Sequence, residues 1–248
     1  MLHQSPVLPA RCHVALPARR SLLSGGAALL LLPRPAQAEE AGFLELRSAA
    51  LAYRFRYPTS TPAGVPLSWA VSREPVKYQS AAPLSADSRQ RIVTSLAVLS
   101  GPLTLSLVVG PPSPAYLEAQ TAAGGVLSPT DEVKLLLADR ATGRVSSGQR
   151  ISLAAVEGVR VGEGPEPPIF YEAVSRGGPT AVDAKAVTYR RSAGVVRRRA
   201  GYFYTLAYAA PEARFEELRP LLVASLESFE LEAPGDEFVD PTDSFALF

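Results

Sequence analysis

From Leu51 to Tyr57 the chain reads Leu-Ala-Tyr-Arg-Phe-Arg-Tyr, with apolar and basic side chains in alternation. A period of two predicts a strand with one buried face, and Pro58, which has no N–H for a ladder, ends it. Glu39 to Ser48 ahead of it reads as a short leader, anchored through Phe43, Leu44 and Leu46. Thr59 to Pro66 is a Pro- and Gly-containing loop, and Leu67 to Arg73, with the sole tryptophan Trp69, predicts a second short strand. Tyr78 to Pro83 reads as another connection. Arg91 to Leu99 and Leu103 to Val109 are Leu-rich or β-branched runs separated by Ser100-Gly101-Pro102, which predicts a hairpin. Pro111-Pro112-Ser113-Pro114 then stops the second run.

Ser128-Pro129-Thr130-Asp131-Glu132 combines a capping side chain, proline at the first helical position and acids in the first turn. It predicts a helix to about Ala141 whose inner face carries Val133, Leu136, Leu137 and Arg140, with Leu136 and Leu137 as core contacts. Ile151 to Val161 holds two short apolar runs around Glu157-Gly158, and Gly162 to Pro168 is a loop. Strands are expected at Ile169 to Arg176, Ala184 to Val196 and Tyr202 to Ala209, the last two joined by a turn at Arg198-Arg199-Ala200-Gly201. Beyond Pro211, Phe215, Leu218, Leu222, Leu226 and Phe229 recur at steps of three and four, so a helix is expected. Pro220 within it predicts a kink, or a regular part that begins near Glu217. Residues 233–248 read as an acidic, aromatic-dotted, disordered tail.

Charge changes the picture at the N-terminus. Residues 1–38 contain Arg11, Arg19, Arg20 and Arg34 and no acid. Setting those four aside leaves 21 basic against 24 acidic residues, a net charge of −3 for the remainder. Arg19-Arg20 precede an apolar run from Leu22 to Leu32 and then Ala36-Gln37-Ala38. That run is about 11 residues, against the ~20 needed to cross a bilayer, so it reads as the core of a cleavable export signal cut after Ala38. The arginine pair resembles a twin-arginine signal, with a simple Sec signal as the alternative. Met1 to Ala18 reads as a short chloroplast transit peptide, and a bacterial exported protein is the other option. The one cysteine, Cys12, and both histidines, His3 and His13, fall in this segment. The processed domain, 39–232, therefore has no disulfide, no Cys/His zinc site and no Ser-His-Asp or Cys-His unit.

With 47% hydrophobic and 20% charged residues the chain has the composition of one soluble globular domain rather than a polybasic nucleic-acid binder. Of the marks of an enzyme, paired carboxylates, a phosphate loop and a nucleophile with its base, none stands out. Gly124-Gly125 and Gly162-Glu163-Gly164 lack the strand-then-helix setting of a phosphate fingerprint. Glu157, Glu163 and Glu172 keep carboxylate chemistry open. Arg190, Arg191, Arg197, Arg198 and Arg199 form the densest charge in the processed chain and are expected to project from one edge of the sheet, docking on acidic partner loops. The alternative is a solvated edge that guards against strand pairing. Asp236, Glu237, Asp240 and Asp243 match no compact calcium loop. Trp69 reads as packing.

Several of these segments, in order, resemble the PsbP family of thylakoid lumen proteins. Tyr53-Arg54-Phe55-Arg56-Tyr57-Pro58 is similar to that family's opening strand, and Leu103 to Pro111 to its apolar strand closing on proline. Ser128-Pro129-Thr130-Asp131-Glu132-Val133 resembles its Ser-Pro-x-Asp helix start, and Phe170-Tyr171-Glu172 one of its strands. Phe203 to Ala209 with Arg214-Phe215 is similar to its Leu-Tyr-x-Leu-x-Ala-x-Ala strand and Arg-Trp pair, and Ser228-Phe229 to the close of its last helix. The resemblance implies an α+β fold, an α-β-α sandwich around an antiparallel sheet of about six strands. It implies a non-enzymatic, peripheral thylakoid lumen protein, an accessory or assembly factor of photosystem II or a neighbouring complex. Calcium enters only by way of the oxygen-evolving centre that the family's namesake supports. Thr188-Tyr189-Arg190 stands where the namesake has a histidine, so that metal site does not carry over. A lumenal module for a small hydrophobic ligand, held between sheet and helix, is the second reading.

Overall fold

A computed structural model describes residues 42–71, 91–99, 101, 103–141, 151–177 and 188–240. The expected connection at Tyr78 to Pro83 lies outside them. The first strand, β1 (Phe43–Ser48), pairs antiparallel with β2 (Tyr53–Pro58), Leu46 facing Phe55 in register. The segment expected as a leader is thus a strand. Its Phe-Leu-Glu-Leu-Arg-Ser alternation half-buries one side against β2, and Phe43 lies 5.9 Å beneath the Arg56 guanidinium.

Further along come β3 (Trp69–Val71), β4 (Arg91–Val98) and β5 (Thr104–Gly110), the last two forming the expected hairpin. A helix, α1 (Pro114–Ala122), follows where only a strand stop was foreseen. Ser113 caps it by accepting the Tyr116 N–H at 3.1 Å, and Pro114 occupies its first turn. This is the Ser-Pro device recognised at Ser128-Pro129, used a second time. There it opens α2 (Pro129–Ala141), where Ser128 Oγ accepts from the Asp131 N–H at 3.1 Å and donates to its carboxylate at 2.6 Å.

The two apolar runs around Glu157-Gly158 are one strand, β6 (Ile151–Val161), bent at a bulge where Gly158 takes a φ of 59°. After it come β7 (Ile169–Gly177), β8 (Thr188–Arg199) and β9 (Tyr202–Pro211). The β8–β9 turn is shorter than expected. Arg198 and Arg199 belong to the strand, and Ala200-Gly201 alone turn the chain with φ of 48° and 81°, as a two-residue I′ loop demands. The last helix, α3 (Glu212–Glu227), runs through Pro220, which is exposed, so water can take up the carbonyl that the proline leaves unpaired. A two-residue strand, β10 (Glu230–Leu231), returns to β2.

Strands β3-β4-β5-β9-β8-β7-β6 form one seven-stranded sheet, antiparallel at every pairing, and β1-β2-β10 a second. Alternation along β8 sorts the core. Ala193 and Val195 join Leu105, Leu107, Tyr204, Leu206 and Tyr208 under Phe215, Leu218, Leu222 and Leu226 of α3, with Tyr53 and Phe55 of β2 alongside. Val196 faces the other way and packs with Ile169, Tyr171, Phe203, Tyr116 and the α2 residues Val133 and Leu136. Helices therefore cover both faces, and the α-β-α sandwich holds with seven strands in place of six. In α2, Val133 is fully buried and Leu137 only partly, so the helix is rolled toward Val133 relative to expectation.

The motif Ser228-Phe229 has a physical role here. Ser228 Oγ accepts the Arg56 N–H at 2.8 Å and Ser225 Oγ donates to the Arg56 carbonyl, so the end of α3 stands in for a neighbouring strand where β10 stops. Phe229, fully buried, packs on Tyr53 and Phe55 with ring centroids 6.3 Å away. Trp69 is packing, as expected. Its indole N–H donates to the Pro58 carbonyl at 2.6 Å and its ring meets Tyr57 and Tyr208 edge-on.

The expectation of a free tail fails over 233–240. The Glu232 N–H bonds the Ala52 carbonyl at 2.9 Å, the Val239 N–H bonds that of Ala50 at 2.8 Å, and Phe238 lies 5.9 Å from the Arg199 guanidinium. Residues 232–239 are held because the turn before β2 offers them the carbonyl acceptors of Ala50 and Ala52. Asp243 lies outside the described residues.

Candidate functional site

Strand β8 is interior to the sheet, between β9 and β7, so its arginines do not project from an edge. Alternation divides them between faces. Arg191 points toward α3, where it bonds Glu216 at 2.8 Å and Glu157 at 2.9 Å and covers Phe215. Arg199, on the same face, donates to the carbonyls of Leu51, Ala52 and Glu232, tying the β8–β9 tip to the β1–β2 turn and to the segment just after β10. Arg197 shares that face, half-buried, with a buried Nε that has no hydrogen-bond partner, and burial lowers its pKa. On the opposite face Arg190 donates to the Ala209 carbonyl at 3.0 Å, and burial lowers its pKa too. Arg198 pairs with Glu132.

That pair forms part of the wall of a cleft of about 430 Å³ lined by α1, the α1–α2 loop, the start of α2 and the β8–β9 tip. Glu132 Oε1 accepts Arg198 Nε at 3.1 Å while Oε2 takes Nη2, a fork in which the Glu132 side chain is buried and the Arg198 side chain is 42% exposed. Tyr116 and Phe203 stand edge to face at 5.1 Å beside it, and Arg198 lies 5.7 Å over the Phe203 ring. Burial, and then the Glu132 charge, push the Tyr116 phenol above its ordinary pKa. Leu127, Pro112 and Glu166 complete this part of the lining. None of Tyr116, Glu132 and Phe203 was a candidate site residue from the sequence; Glu132 entered only as a first-turn acid and Phe203 only as part of a strand. Glu132 meets Arg198 across 66 positions, a separation that no local spacing announces.

Two of the three carboxylates considered for catalysis, Glu157 and Glu172, are engaged. Glu157 and Glu172 lie opposite each other on β6 and β7, and Arg191 and Arg219 neutralise them one each, the second at 2.7 Å. Arg160 extends the ladder, bonding Glu227 at 2.8 Å and stacking 4.2 Å over Phe170. Glu163 sits exposed in the β6–β7 loop. Gly124-Gly125 turn between α1 and α2, and Gly162 packs too tightly on Pro168 for a side chain. Among the described residues no three His, Cys, Asp or Glu side chains converge to hold a metal ion, so the carboxylates present do not fit calcium.

No family model matches the chain. It is 31% identical over 192 residues to PsbP domain-containing protein 5, chloroplastic, of Arabidopsis thaliana, a stretch that covers 77% of this chain and 64% of that protein. The chain thus spans a little under two thirds of that relative's length. Among solved structures, the cyanobacterial PsbP (CyanoP) of Synechocystis aligns over 81% of this chain and 98% of its own, with 17% identity and a TM-score of 0.46. The Ran-binding protein Mog1p of Saccharomyces cerevisiae aligns over 76% and 95%, with 8% identity and a TM-score of 0.35. At those scores the assignment rests on the sequence match and not on the structural neighbours. With that identity sustained over three quarters of its length, the chain belongs to the PsbP family.

Proposed function

We propose that the protein is a non-enzymatic accessory or assembly factor of photosystem II, or of a neighbouring photosynthetic complex, acting by protein contact at the lumenal face of the thylakoid membrane. The observation that carries this reading is the sequence match to a chloroplastic PsbP-domain protein. Residues 1–38 fit it as a transit peptide followed by a twin-arginine signal, with Arg19, Arg20, Ala36 and Ala38 as the recognition and cleavage positions. Among the described residues no helix is long and apolar enough to cross a membrane, which suits a peripheral protein. Calcium, if the complex retains it, has no ligand set among the described residues of this chain.

Docking through the arginine block narrows to the β8–β9 tip, with Arg197 and the outer edge of Arg198 left to meet acidic loops. Replacing Arg197 to Arg199 together would also strip the buried Glu132 of its partner, which is strongly destabilising in itself. Arg197→Ser alone is the cleaner test. Loss of salt-sensitive membrane retention at an unchanged melting temperature supports docking there, and unchanged retention overturns it. For the function as a whole, native gels of solubilised thylakoids decide: comigration with a pigment-protein complex is expected, and a stromal or freely migrating protein refutes the reading. A lumenal module for a small ligand is the second reading, favoured by the cleft.

A further inference from the structure

On the α3 side of the β8–β9 tip two arginines keep an unmatched charge, and an acidic stretch of the same chain lies beside them. We infer that residues 233–240 form a displaceable strap that screens Arg197 and Arg199 until an acidic segment of a partner takes its place. This rests on the reading that the tip meets acidic loops, and adds to it a competitor within the chain.

Ion pairing around the tip leaves these two arginines over. Arg47 and Arg54 are matched by Glu232 and Glu230 at 2.7 and 2.6 Å, and Arg198 is matched by Glu132 on the opposite face. Among the described residues no carboxylate forms an ion pair with Arg197 or Arg199. Arg199 gives its donors to the Leu51, Ala52 and Glu232 carbonyls, which occupy its N–H groups and carry no net charge. Arg197, two positions earlier on the same face, is half-buried, and its shielded Nε has no partner. Burial lowers its pKa, and the Glu230 charge offsets part of that. Directly opposite Arg197 in register stands the fully buried Tyr204, whose hydroxyl also makes no hydrogen bond of good geometry. A cation taken partly out of water without a counter-charge gains from a carboxylate.

The strap brings charge to the tip and no ion pair. Asp236, Glu237 and Asp240 set three negative charges against the two positive ones. Burial is the chief cause that raises the Tyr204 phenol above its ordinary pKa, and the Asp240 charge adds to it, so that carboxylate acts on the tip. Phe238 lies 5.9 Å from the Arg199 guanidinium, which meets the Tyr204 ring at 5.8 Å. The hold is light. Beyond Glu232 the one main-chain tie to the body, among the described residues, is the Val239 N–H on the Ala50 carbonyl at 2.8 Å, and residues 233–237 are exposed. Few buried contacts and an exposed backbone mark a segment that opens at low cost. A carboxylate that pairs with Arg197 makes the contact the strap leaves unmade, which is what lets it compete.

The test measures the binding of fluorescein-labelled poly-L-glutamate to the full chain at low salt, by anisotropy, with the arginines of residues 1–38 common to every variant. Phe238→Ala and Val239→Pro each remove one tether and leave the charge as it is. A site closed by a competing segment loses affinity in proportion to the time it is closed, so each variant is expected to bind about fivefold or more tightly than the unaltered chain. Arg197→Ser added to either is expected to cancel the gain. In the unaltered chain, saturation with poly-L-glutamate is expected to speed hydrogen exchange at the Val239 amide. Equal affinity with and without the tethers overturns the strap and leaves docking at the tip standing. A gain that survives Arg197→Ser, or a Val239 amide whose exchange does not quicken, also overturns it. Binding by none of these proteins overturns the strap and docking at the tip together, so the two failures are distinguishable.

Discussion

Ser225→Ala deletes one oxygen that serves two partners in the middle of the core. Ser225 Oγ contacts the Tyr208 hydroxyl at 2.6 Å and the Arg56 carbonyl, and both Ser225 and Tyr208 are fully buried. A serine has one proton and a carbonyl can only accept, so Ser225 donates to Arg56 and the Tyr208 O–H donates to Ser225. Burial, partly offset by Ser225, pushes the Tyr208 phenol above its ordinary pKa, the mark of a dry site. Alanine leaves a buried donor and a buried acceptor without partners, each costing about 1–3 kcal/mol, so a loss of about 2–6 kcal/mol is expected. Tyr208→Phe removes only the donor and leaves Ser225 bonded to Arg56, for about 1 kcal/mol. The double variant orphans the carbonyl alone and should cost about 1–2 kcal/mol less than the sum of the singles. Denaturant unfolding followed by the fluorescence of Trp69, whose ring centroid is 6.3 Å from that of Tyr208, reads all three variants. Single effects that add to within about 0.5 kcal/mol would refute the shared-oxygen account.

Three further outcomes follow from the same geometry. A Cβ on Gly194 would lie 2.4 Å from the buried Tyr171 ring, so Gly194→Ala should destabilise by about 1–3 kcal/mol and Tyr171→Leu should rescue it; a neutral effect in thermal melts contradicts the contact. Ala200 holds a φ of 48° at the exposed β8–β9 turn, so Ala200→Asn should raise the melting temperature by a few degrees, in keeping with ~1 kcal/mol of relieved backbone strain. Burial raises the phenol pKa of Tyr53, Tyr116, Tyr204 and Tyr208, so their contribution to stability is whole below the unfolded value near ~10 and is lost as pH rises toward the folded values. Each should remove up to ~1.4 kcal/mol per pH unit above ~10, and tyrosinate absorbance from these four appearing while circular dichroism stays native would refute it.

What could be read from the sequence was what a short window contains. Alternation marked β2, Leu-rich or β-branched runs on either side of Ser100-Gly101-Pro102 marked the β4–β5 hairpin, the three-and-four spacing of Phe215 to Phe229 marked α3, and Ser128-Pro129 marked the start of α2. The same window contained the α1 start at Ser113-Pro114, hidden by reading that proline cluster only as a strand breaker. Phe43 to Ser48 carried a weak alternation whose burial depends on β2 lying beside it.

The arginine block shows where a window stops being enough. Five basic residues close together in sequence look like one patch, and the residue types alone determined that they would be charged and that residues 39–248 hold no imidazole or thiol. Their fates were decided by where β8 came to lie. Between β7 and β9 the strand sends alternate side chains to opposite faces, Arg191 to α3 and Arg199 to the Glu232 carbonyl, Arg198 to α2. Whether a strand is an edge or an interior member depends on pairings tens of residues away, and the partner of a buried charge is chosen by the whole packing. Tertiary structure alone therefore made a forked pair, and a cleft beside it, out of Glu132 and Arg198.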